Sequence, residues 1–286
     1  MNGKIGIILI NYNGRRDTLE CIKSIKKSTY SNYVIIVVDN HSNLEERISD
    51  CENLEGVVVR ILGENIGFGA ANNVGAEIAL KEKAEFLLCL NNDTVVSPDF
   101  LERMISAYEK NTVLTCRIND YSSRDKIWYG GGKTSKVFGT FRHQKFSMSR
   151  YVSFVCGCCF LMPADIYRKI GLFSEQFFMY CEDSDLSVRL LKNGYRIKYV
   201  SDAVIWHKIG RSADRIKGLK LYYTTRNRLI VLRNWKDYFC PLSWMYFYVT
   251  RFLVVLFLLI TGRETGDIRQ GIMDYQRGIE GKREKL

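Results

Sequence analysis

The stretch at residues 33–40 is YVIIVVDN, an apolar run that ends on an acidic and an amide side chain. Three further runs are mainly apolar and precede polar loops and helix patterns: residues 4–10, 57–62 and 85–90. Apolar strands that alternate with helices indicate a parallel sheet buried on both faces. The sequence therefore predicts an α/β fold.

Polar residues follow each of these strands at the point where it ends. They are Asn11-Tyr12-Asn13, Asp39-Asn40, the loop with Gly67 and Gly69, and Asn91-Asn92-Asp93. Each could be an ordinary turn, but ligands of parallel sheets bind at the carboxyl ends of the strands. The glycine loop is neither a dinucleotide fingerprint nor a phosphate-binding loop. We therefore predict a nucleotide site that uses the ring of Tyr12, an acceptor on Asp39 and a cation ligand on Asp93.

Three carboxylates lie close together at the start of YCEDSDLSVRLLKNGYRIKYVSDAVIWH, residues 180–207: Glu182, Asp183 and Asp185. A helix pattern follows them and stops at Gly194, and two strand-like runs come next, residues 195–200 and a run that ends at residue 207. Carboxylates at a helix start remain anionic beside exposed N–H groups, so one of them can act as a base near pH 7. The alternative is that Asp183 and Asp185 only cap the helix.

The composition indicates one large domain with a basic appendage. The chain has 286 residues and a formal net charge of +11, and residues 205–286 hold 16 Lys or Arg against 7 Asp or Glu. This tail predicts an anionic surface as partner, whereas no nucleic-acid module is found and nucleic acid is not expected. Nine cysteines without a signal sequence predict reduced cytosolic thiols.

The second half of the chain has a different pattern. Residues 113–155 predict short strands and loops, residues 158–162 a buried strand, and residues 163–169 a helix that Pro163 starts. We expect these elements to extend the parallel half into a mixed sheet within the same domain.

An ordered series of motifs over residues 4–235 carries a family resemblance: IILINYNG, VVDNHS, ENIGFGAANNVG, LCLNNDTVV, CGCCFLMPADIYRKIGLF, YCEDSDLSVRLLKNGYRIKYV, WHKIG and YYTTRNRL. The series resembles the family 2 glycosyltransferases, in particular their rhamnosyltransferase-like branch. The resemblance implies the GT-A fold over residues 1–215, a Rossmann-like half-sheet extended into a mixed sheet flanked by helices. It also implies inverting transfer of a sugar from a UDP- or dTDP-linked donor to a hydroxyl, with Mg²⁺ or Mn²⁺, in cell-surface glycan synthesis.

The resemblance further implies roles for matching residues. Asp183 matches the general base of the family's Glu-Asp motif, and Glu182 is its catalytic neighbour. Asp93 matches the last carboxylate of an Asp-x-Asp metal motif that begins with Asn91 here, and His207 matches a histidine that completes the metal site in some relatives. The implied donor-binding residues are Asn11, Tyr12, Asp39, Asn65, Gly67, Asn72 and Asn92.

Other interpretations remain open at the level of sequence. A sugar-1-phosphate nucleotidylyltransferase would need a basic glycine-rich loop after the first strand, where this chain has Asn11-Tyr12-Asn13-Gly14. A polyprenyl-phosphate sugar synthase or a non-catalytic nucleotide-sugar-binding protein would share the fold. His207 could be a buried core histidine, and without a metal Lys208 or Arg211 would neutralise the diphosphate.

Residues 238–260, YFCPLSWMYFYVTRFLVVLFLLI, form an apolar run of about the length of a membrane span. Arg251 near its middle, basic residues at both ends and aromatic residues in its first half favour a helix in the cytoplasmic leaflet over a spanning helix. A homodimer interface is the third alternative. We therefore predict that residues 216–286 attach the protein to the cytoplasmic face of the cell membrane, as a peripheral or monotopic protein, beside a lipid-linked or polysaccharide acceptor.

Overall fold

The structure, a computed structural model, describes residues 3–48, 54–209 and 219–283. The strands are β1 (Ile5–Asn11), β2 (Tyr33–Asp39), β3 (Val57–Ile61), β4 (Phe86–Leu90), β5 (Thr94–Val96), β6 (Thr112–Asp120), β7 (Ile127–Tyr129), β8 (Gly132–Ser135), β9 (Thr140–His143), β10 (Arg150–Val152), β11 (Cys159–Pro163) and β12 (Arg196–His207). The helices are α1 (Arg15–Ile25), α2 (Phe68–Lys81), α3 (Phe100–Ser106), α4 (Ala164–Ile170), α5 (Glu182–Lys192), α6 (Leu219–Asn234), α7 (Leu242–Ile260) and α8 (Gly266–Gln276).

The first half of the main sheet is parallel, as predicted. β1 lies between β2 and β4 and is parallel to both, and β2 pairs with β3. Alternate residues of β1 enter two cores, so that Ile7 packs in the core that includes α1 and Ile8 in the core that includes α2. A Cβ at Gly75 of α2 would lie 2.4 Å from Cγ2 of Ile8, so this helix can approach β1 closely only with glycine there.

The second half makes the sheet mixed, which was also predicted. Its strand order is β10-β12-β6-β11-β4-β1-β2-β3, with β5 paired to β12 and β7 paired to β6. β11 is antiparallel to its neighbours, and β12 is parallel to β6. The prediction of two strand-like runs before residue 207 was wrong, because β12 is one strand whose register shifts between Val200 and Val204.

Three helices follow the sheet. α6 packs against α7 and α8, and it shares a third apolar core with α5 through side chains that include Val188 and Leu229. α7 has 19 residues with a mean hydropathy of 1.8, and it is the one helix in the described residues that is long and apolar enough to cross a membrane. The predicted boundary at residues 215 and 216 lies outside the described residues.

Candidate active site

A buried polar network lies at the ends of β1 and β2. Asn11 and Asp39 are partners in the parallel register, and Nδ2 of Asn11 donates to Oδ2 of Asp39 over 2.6 Å. Asp39 also accepts from the backbone N–H groups of Ser42 and Ile48. Both side chains are fully buried. They therefore fix the loop after β2 from the interior, and their contact with a donor stays a prediction.

Two more predicted donor-binding residues lie beside this network and differ in exposure. Tyr12 is 48% exposed, so its ring is accessible for stacking on a nucleobase. Nδ2 of Asn92 instead donates to Oγ1 of Thr18 at 2.8 Å, and Thr18 donates to Oδ1 of Asn11 at 2.9 Å. Asn92 thus connects the turn after β4 to α1.

The glycine loop before α2 is held by Asn40. Nδ2 of Asn40 donates to Oδ1 of Asn65 at 3.1 Å and to the carbonyl of Gly67 at 3.2 Å. Gly67 has a φ of 92°, and a Cβ there would lie 2.4 Å from the carbonyl oxygen of Phe178. Only glycine fits both constraints. Asn72 is buried, and its amide donates within α2.

The predicted metal ligands Asp93 and His207 are brought together by the antiparallel pairing of β5 with β12. Nε2 of His207 lies 3.0 Å from Oδ1 of Asp93, and both side chains are largely buried. Within residues 3–48, 54–209 and 219–283, Oδ1 of Asp93, Nδ1 of His207 and Oδ1 of Asn91 have no hydrogen-bond partner. Buried polar atoms without partners are costly, and a divalent cation is one group that can compensate such atoms.

The donor set suits the predicted Mn²⁺ or Mg²⁺. It combines an imidazole with carboxylate and amide oxygens, which these cations accept. The described residues contain no group of three His, Cys, Asp or Glu that could hold an ion, so an ion here would rest on the pair Asp93 and His207. Trp128 packs on His207 with 5.1 Å between ring centroids and limits the orientation of the imidazole.

Lys208, the alternative counter-charge for a diphosphate, is engaged elsewhere. Its Nζ lies 2.6 Å from Oδ1 of Asp17 and 2.7 Å from Oε2 of Glu20, and its side chain is 4% exposed. Lys208 therefore joins the end of β12 to α1. Arg211 lies outside the described residues.

The predicted base, Asp183, lies in the first turn of α5 and is half-buried. Its Oδ2 accepts a hydrogen bond from the N–H of Gly157 at 3.2 Å, and the hydroxyl of Ser184 donates to Oδ1 at 3.4 Å. Burial raises the pKa of the Asp183 carboxyl, and these hydrogen bonds offset part of that effect. A carboxylate with a raised pKa is a better proton acceptor than an ordinary one.

The two acidic neighbours of Asp183 have different surroundings. Glu182 is buried, and its Oε2 has no hydrogen-bond partner in the described chain. Burial and, to a lesser extent, the charge on Asp183 raise the pKa of Glu182. Asp185 instead pairs with Arg189 at 2.7 Å and accepts from Nε1 of Trp235 at 2.8 Å, so it attaches α5 to α6.

A strained turn positions this helix start, and sequence reasoning missed the residue that holds it. Tyr180 and Cys181 have φ values of 65° and 73°, a left-handed conformation that such residues rarely adopt. Nδ2 of Asn227 on α6 donates to the carbonyls of Met179 at 2.8 Å and Tyr180 at 2.9 Å. Asn227 is fully buried. Its place within YYTTRNRL was the only sequence signal for this role.

The backbone after α8 returns to the segment that precedes this turn. The N–H of Gly281 donates to the carbonyl of Gln176 at 2.9 Å, and its carbonyl accepts from Nη2 of the buried Arg226 at 2.6 Å. Nζ of Lys282 donates to the carbonyl of Asn65 at 3.2 Å. Residues 281–282 thus connect the glycine loop, the segment before α5 and α6.

Comparison with known protein families identifies the family of this chain. The model of "Glycosyl transferase family 2" matches residues 6–171, which is more than half of the chain. The chain belongs to glycosyl transferase family 2. It is therefore a glycosyltransferase, and the sequence resemblance to this family is confirmed.

Relatives of this family 2 glycosyltransferase include rhamnosyl transferases. A dTDP-rhamnosyl transferase, RfbF of Shigella flexneri, is 24% identical over 251 residues, which cover 82% of this chain and 81% of the relative. An N-acetylglucosaminyl-diphospho-decaprenol L-rhamnosyltransferase of Mycobacterium tuberculosis is 24% identical over 279 residues, covering 85% of this chain and 89% of the relative. These relatives confirm the rhamnosyltransferase-like branch.

The solved structure of GalNAc-T7 with UDP, GalNAc and Mn²⁺ is similar to this family 2 chain with a TM-score of 0.69 and 16% sequence identity. The alignment covers 82% of this chain and 49% of that chain. At this identity the likeness concerns the fold alone. It confirms the predicted GT-A architecture, a parallel half-sheet extended into a mixed sheet with helices on both faces.

Proposed function

We propose that this glycosyltransferase transfers a sugar, with inversion, from a UDP- or dTDP-linked donor to a hydroxyl of a lipid-linked acceptor in cell-surface glycan synthesis. dTDP-rhamnose is the first donor to test, because both relatives are named rhamnosyl transferases and one of the names contains dTDP. The diphospho-decaprenol in the other name supports a lipid-linked acceptor.

One observation carries this proposal: two consecutive residues connect the predicted base to the turn after β4, which carries Asp93. The N–H of Gly157 donates to Asp183 at 3.2 Å, and the carbonyl of Cys158 accepts from the N–H of Asn91 at 2.8 Å. An inverting displacement needs a base at the acceptor hydroxyl and positive charge at the departing diphosphate, on either side of one reacting carbon. The segment 157–158 fixes both groups relative to each other.

Each residue then has a role in the reaction. Asp183 accepts the proton of the acceptor hydroxyl as that oxygen attacks the sugar. Asp93 and His207 would hold a Mn²⁺ or Mg²⁺, which would supply positive charge for the departing nucleoside diphosphate. Tyr12 stacks on the nucleobase, and the bare backbone of Gly67 lets the loop approach the donor. No covalent nucleophile is required.

The exposed face of α7 supports attachment to a membrane surface. Five of its exposed apolar residues recur every three or four positions and so share one face of the helix: Met245, Val249, Phe252, Leu256 and Ile260. Further exposed apolar residues, among them Leu253 and Phe257, widen this surface. Arg251 contacts the ring of the buried Phe247 at 5.8 Å on the inner side. A helix with one apolar face and an inward charge suits the interface of the cytoplasmic leaflet.

A donor screen tests this function. Thermal unfolding is measured with dTDP-rhamnose and a panel of UDP-sugars, with and without Mn²⁺, since a ligand that binds only the folded state raises the melting temperature. The donor with the largest shift is then incubated with an N-acetylglucosaminyl-diphospho-lipid, and the product is analysed by mass spectrometry and NMR. Absence of any donor-dependent shift, or a product that retains the anomeric configuration of the donor, would contradict the proposal.

A further inference from the structure

A cavity of about 380 Å³ lies against the start of α5, the helix whose first turn carries the predicted base. Its walls come from α6, α7, β9 and the start of α5. Its lining includes Cys181 and Ser184, which lie on either side of Glu182-Asp183 in the chain. The roles assigned above do not use this cavity.

Three arginines line the cavity, which we call the arginine cavity: Arg142 on β9, Arg228 on α6 and Arg251 on α7. Five hydroxyl side chains accompany them, and none of the described lining residues is an acid: Thr140, Ser184, Thr224, Tyr246 and Thr250. Guanidinium groups remain charged and bind phosphoryl oxygens with pairs of N–H donors. The lining therefore has the chemistry of a phosphate-binding site.

The surroundings of two of these arginines compensate their charges only in part, although Nη2 of Arg228 donates to the carbonyl of Phe138 at 3.2 Å. Within the described ranges, Nε of Arg228 and Nε of Arg251 are buried and have no hydrogen-bond partner. Burial and, to a lesser extent, the charge on Arg251 lower the pKa of Arg228. Both guanidinium groups pack on the ring of Phe247, at 5.7 and 5.8 Å, which offsets only part of the cost of burial. Two like charges held at one apolar ring favour an anion that contacts both.

The helix with the exposed apolar face forms one wall of the arginine cavity. Thr250 and Arg251 line the cavity, whereas the next residue, Phe252, is 66% exposed on the outer face of α7. A ligand with an anionic group and a hydrocarbon chain fits both sides of α7: the anionic group fits the cavity, and the hydrocarbon chain fits the exposed apolar face. A free phosphate would match only the cavity.

We propose that the arginine cavity binds the diphosphate of a polyprenyl-diphosphate-linked acceptor. The proposal rests on the glycosyltransferase function proposed above. It names the arginines of this cavity as the residues that hold the acceptor so that its hydroxyl lies near Asp183. The donor diphosphate is a different ligand, because Asp93 and His207 on the β5–β12 pair serve it. A diphosphate has enough oxygens to engage Arg228 and Arg251 together.

Binding of farnesyl diphosphate to the full chain in detergent micelles tests this proposal. dTDP and Mn²⁺ are present throughout so that the donor site is filled. Arg228→Gln and Arg251→Gln should each raise the Kd for farnesyl diphosphate about 10-fold or more and leave the Kd for dTDP unchanged. Arg233→Gln is the matched control, because Arg233 lies on the same helix, pairs with Glu280 and is not part of the lining.

Two further comparisons keep the result interpretable. Arg228→Lys retains the charge and should bind farnesyl diphosphate more tightly than Arg228→Gln, and thermal melts confirm that each variant is folded. Equal affinity of wild type and both glutamine variants for farnesyl diphosphate would overturn the proposal. Equal affinity of the wild type for farnesol and for farnesyl diphosphate would also overturn it. So would glutamine variants that lose only binding to phosphatidylglycerol vesicles and keep their affinity for farnesyl diphosphate. If the wild type binds no dTDP but its affinity for farnesyl diphosphate still depends on Arg228 and Arg251, the proposed function is contradicted and the arginine cavity is still supported.

Discussion

Nε2 of His207 and Oδ1 of Asp93 lie 3.0 Å apart, although more than a hundred positions separate the two residues in the chain. The pairing of β5 with β12 brings them together. In the described part of the chain, that oxygen of Asp93 makes no bond with the geometry of a hydrogen bond, although the imidazole lies within reach. Two ligand atoms so arranged can share a cation, and this gives the first prediction.

Asp93→Ala and His207→Ala should each raise the Mn²⁺ concentration for half-maximal activity, by at least about 10-fold. Each substitution removes one protein ligand and leaves the other in place. Asp202→Ala is a suitable control, since Asp202 is an exposed acid on the same strand as His207. If EDTA leaves the wild-type rate unchanged, the metal assignment is wrong.

Asp183→Asn should lower kcat by about 10²–10⁴-fold and leave the Kd for the donor unchanged, because the amide cannot accept the proton. Burial raises the pKa of Asp183, so the wild-type rate should fall with decreasing pH at a value above that of an ordinary aspartate. Asp165→Asn, an exposed acid in the first turn of α4, is the control. More than a tenth of normal turnover in Asp183→Asn would remove the residue from this role.

Glu182→Gln should stabilise the protein at alkaline pH. The pKa of Glu182 is raised by burial and by the charge on Asp183, so the folded chain holds this proton more tightly than the unfolded chain. The free energy of unfolding therefore decreases as the pH rises from the pKa of Glu182 in the unfolded chain to its higher pKa in the folded chain. Urea denaturation should show a gain of roughly 1–3 kcal/mol at pH 8 and almost none at pH 4. The same gain at both values would contradict this account.

Asn227→Ala should reduce both stability and kcat. The change leaves the carbonyls of Met179 and Tyr180 without their donor, which costs about 1–3 kcal/mol and releases the turn before the base. Asn193→Ala removes one amide-to-carbonyl bond at the exposed end of α5 and provides the control. A variant that loses stability but keeps full kcat would show that Asn227 does not position Asp183.

The double substitution Phe252→Glu with Leu256→Glu should reduce sedimentation with anionic liposomes at low salt. It places charges on the exposed apolar face of α7, and higher salt should weaken wild-type binding as well. Leu44→Glu changes an equally apolar exposed residue far from α7 in the chain and should have no effect. Wild-type protein that remains in the supernatant at low salt would contradict membrane attachment.

The parallel half of the fold could be predicted because every residue of β1 and β4 is buried, so the strands appear in the sequence as unbroken apolar runs. The irregularity in β12 could not, since the residues around the register shift have the composition of an ordinary strand break. The pairing of β5 with β12 likewise depends on contacts between distant segments, which a local pattern does not record.

Asp183, Asp93 and His207 could be named from the sequence because their residue types follow a family motif at fixed places, and their roles stay predictions. The supports around them could not be named in this way. Asn227 looks like any polar residue in an amphipathic helix, and only the structure shows it bonded to two carbonyls. The three arginines of the cavity come from three separate elements, so no spacing in the sequence joins them.

The contacts of Gly281 and Lys282 also set an order of events during synthesis. Gln176 in the segment before α5 and Asn65 in the glycine loop accept hydrogen bonds from residues about a hundred or more positions later in the chain. On the ribosome, where domains fold from the N-terminus onward, the parallel half-sheet can form while these late residues are still in the exit tunnel. The segment before α5 gains its contact with Gly281 only when α8 and the residues after it have emerged. Until residues 281–282 have emerged, the segment before α5 and the glycine loop therefore each lack one of their contacts.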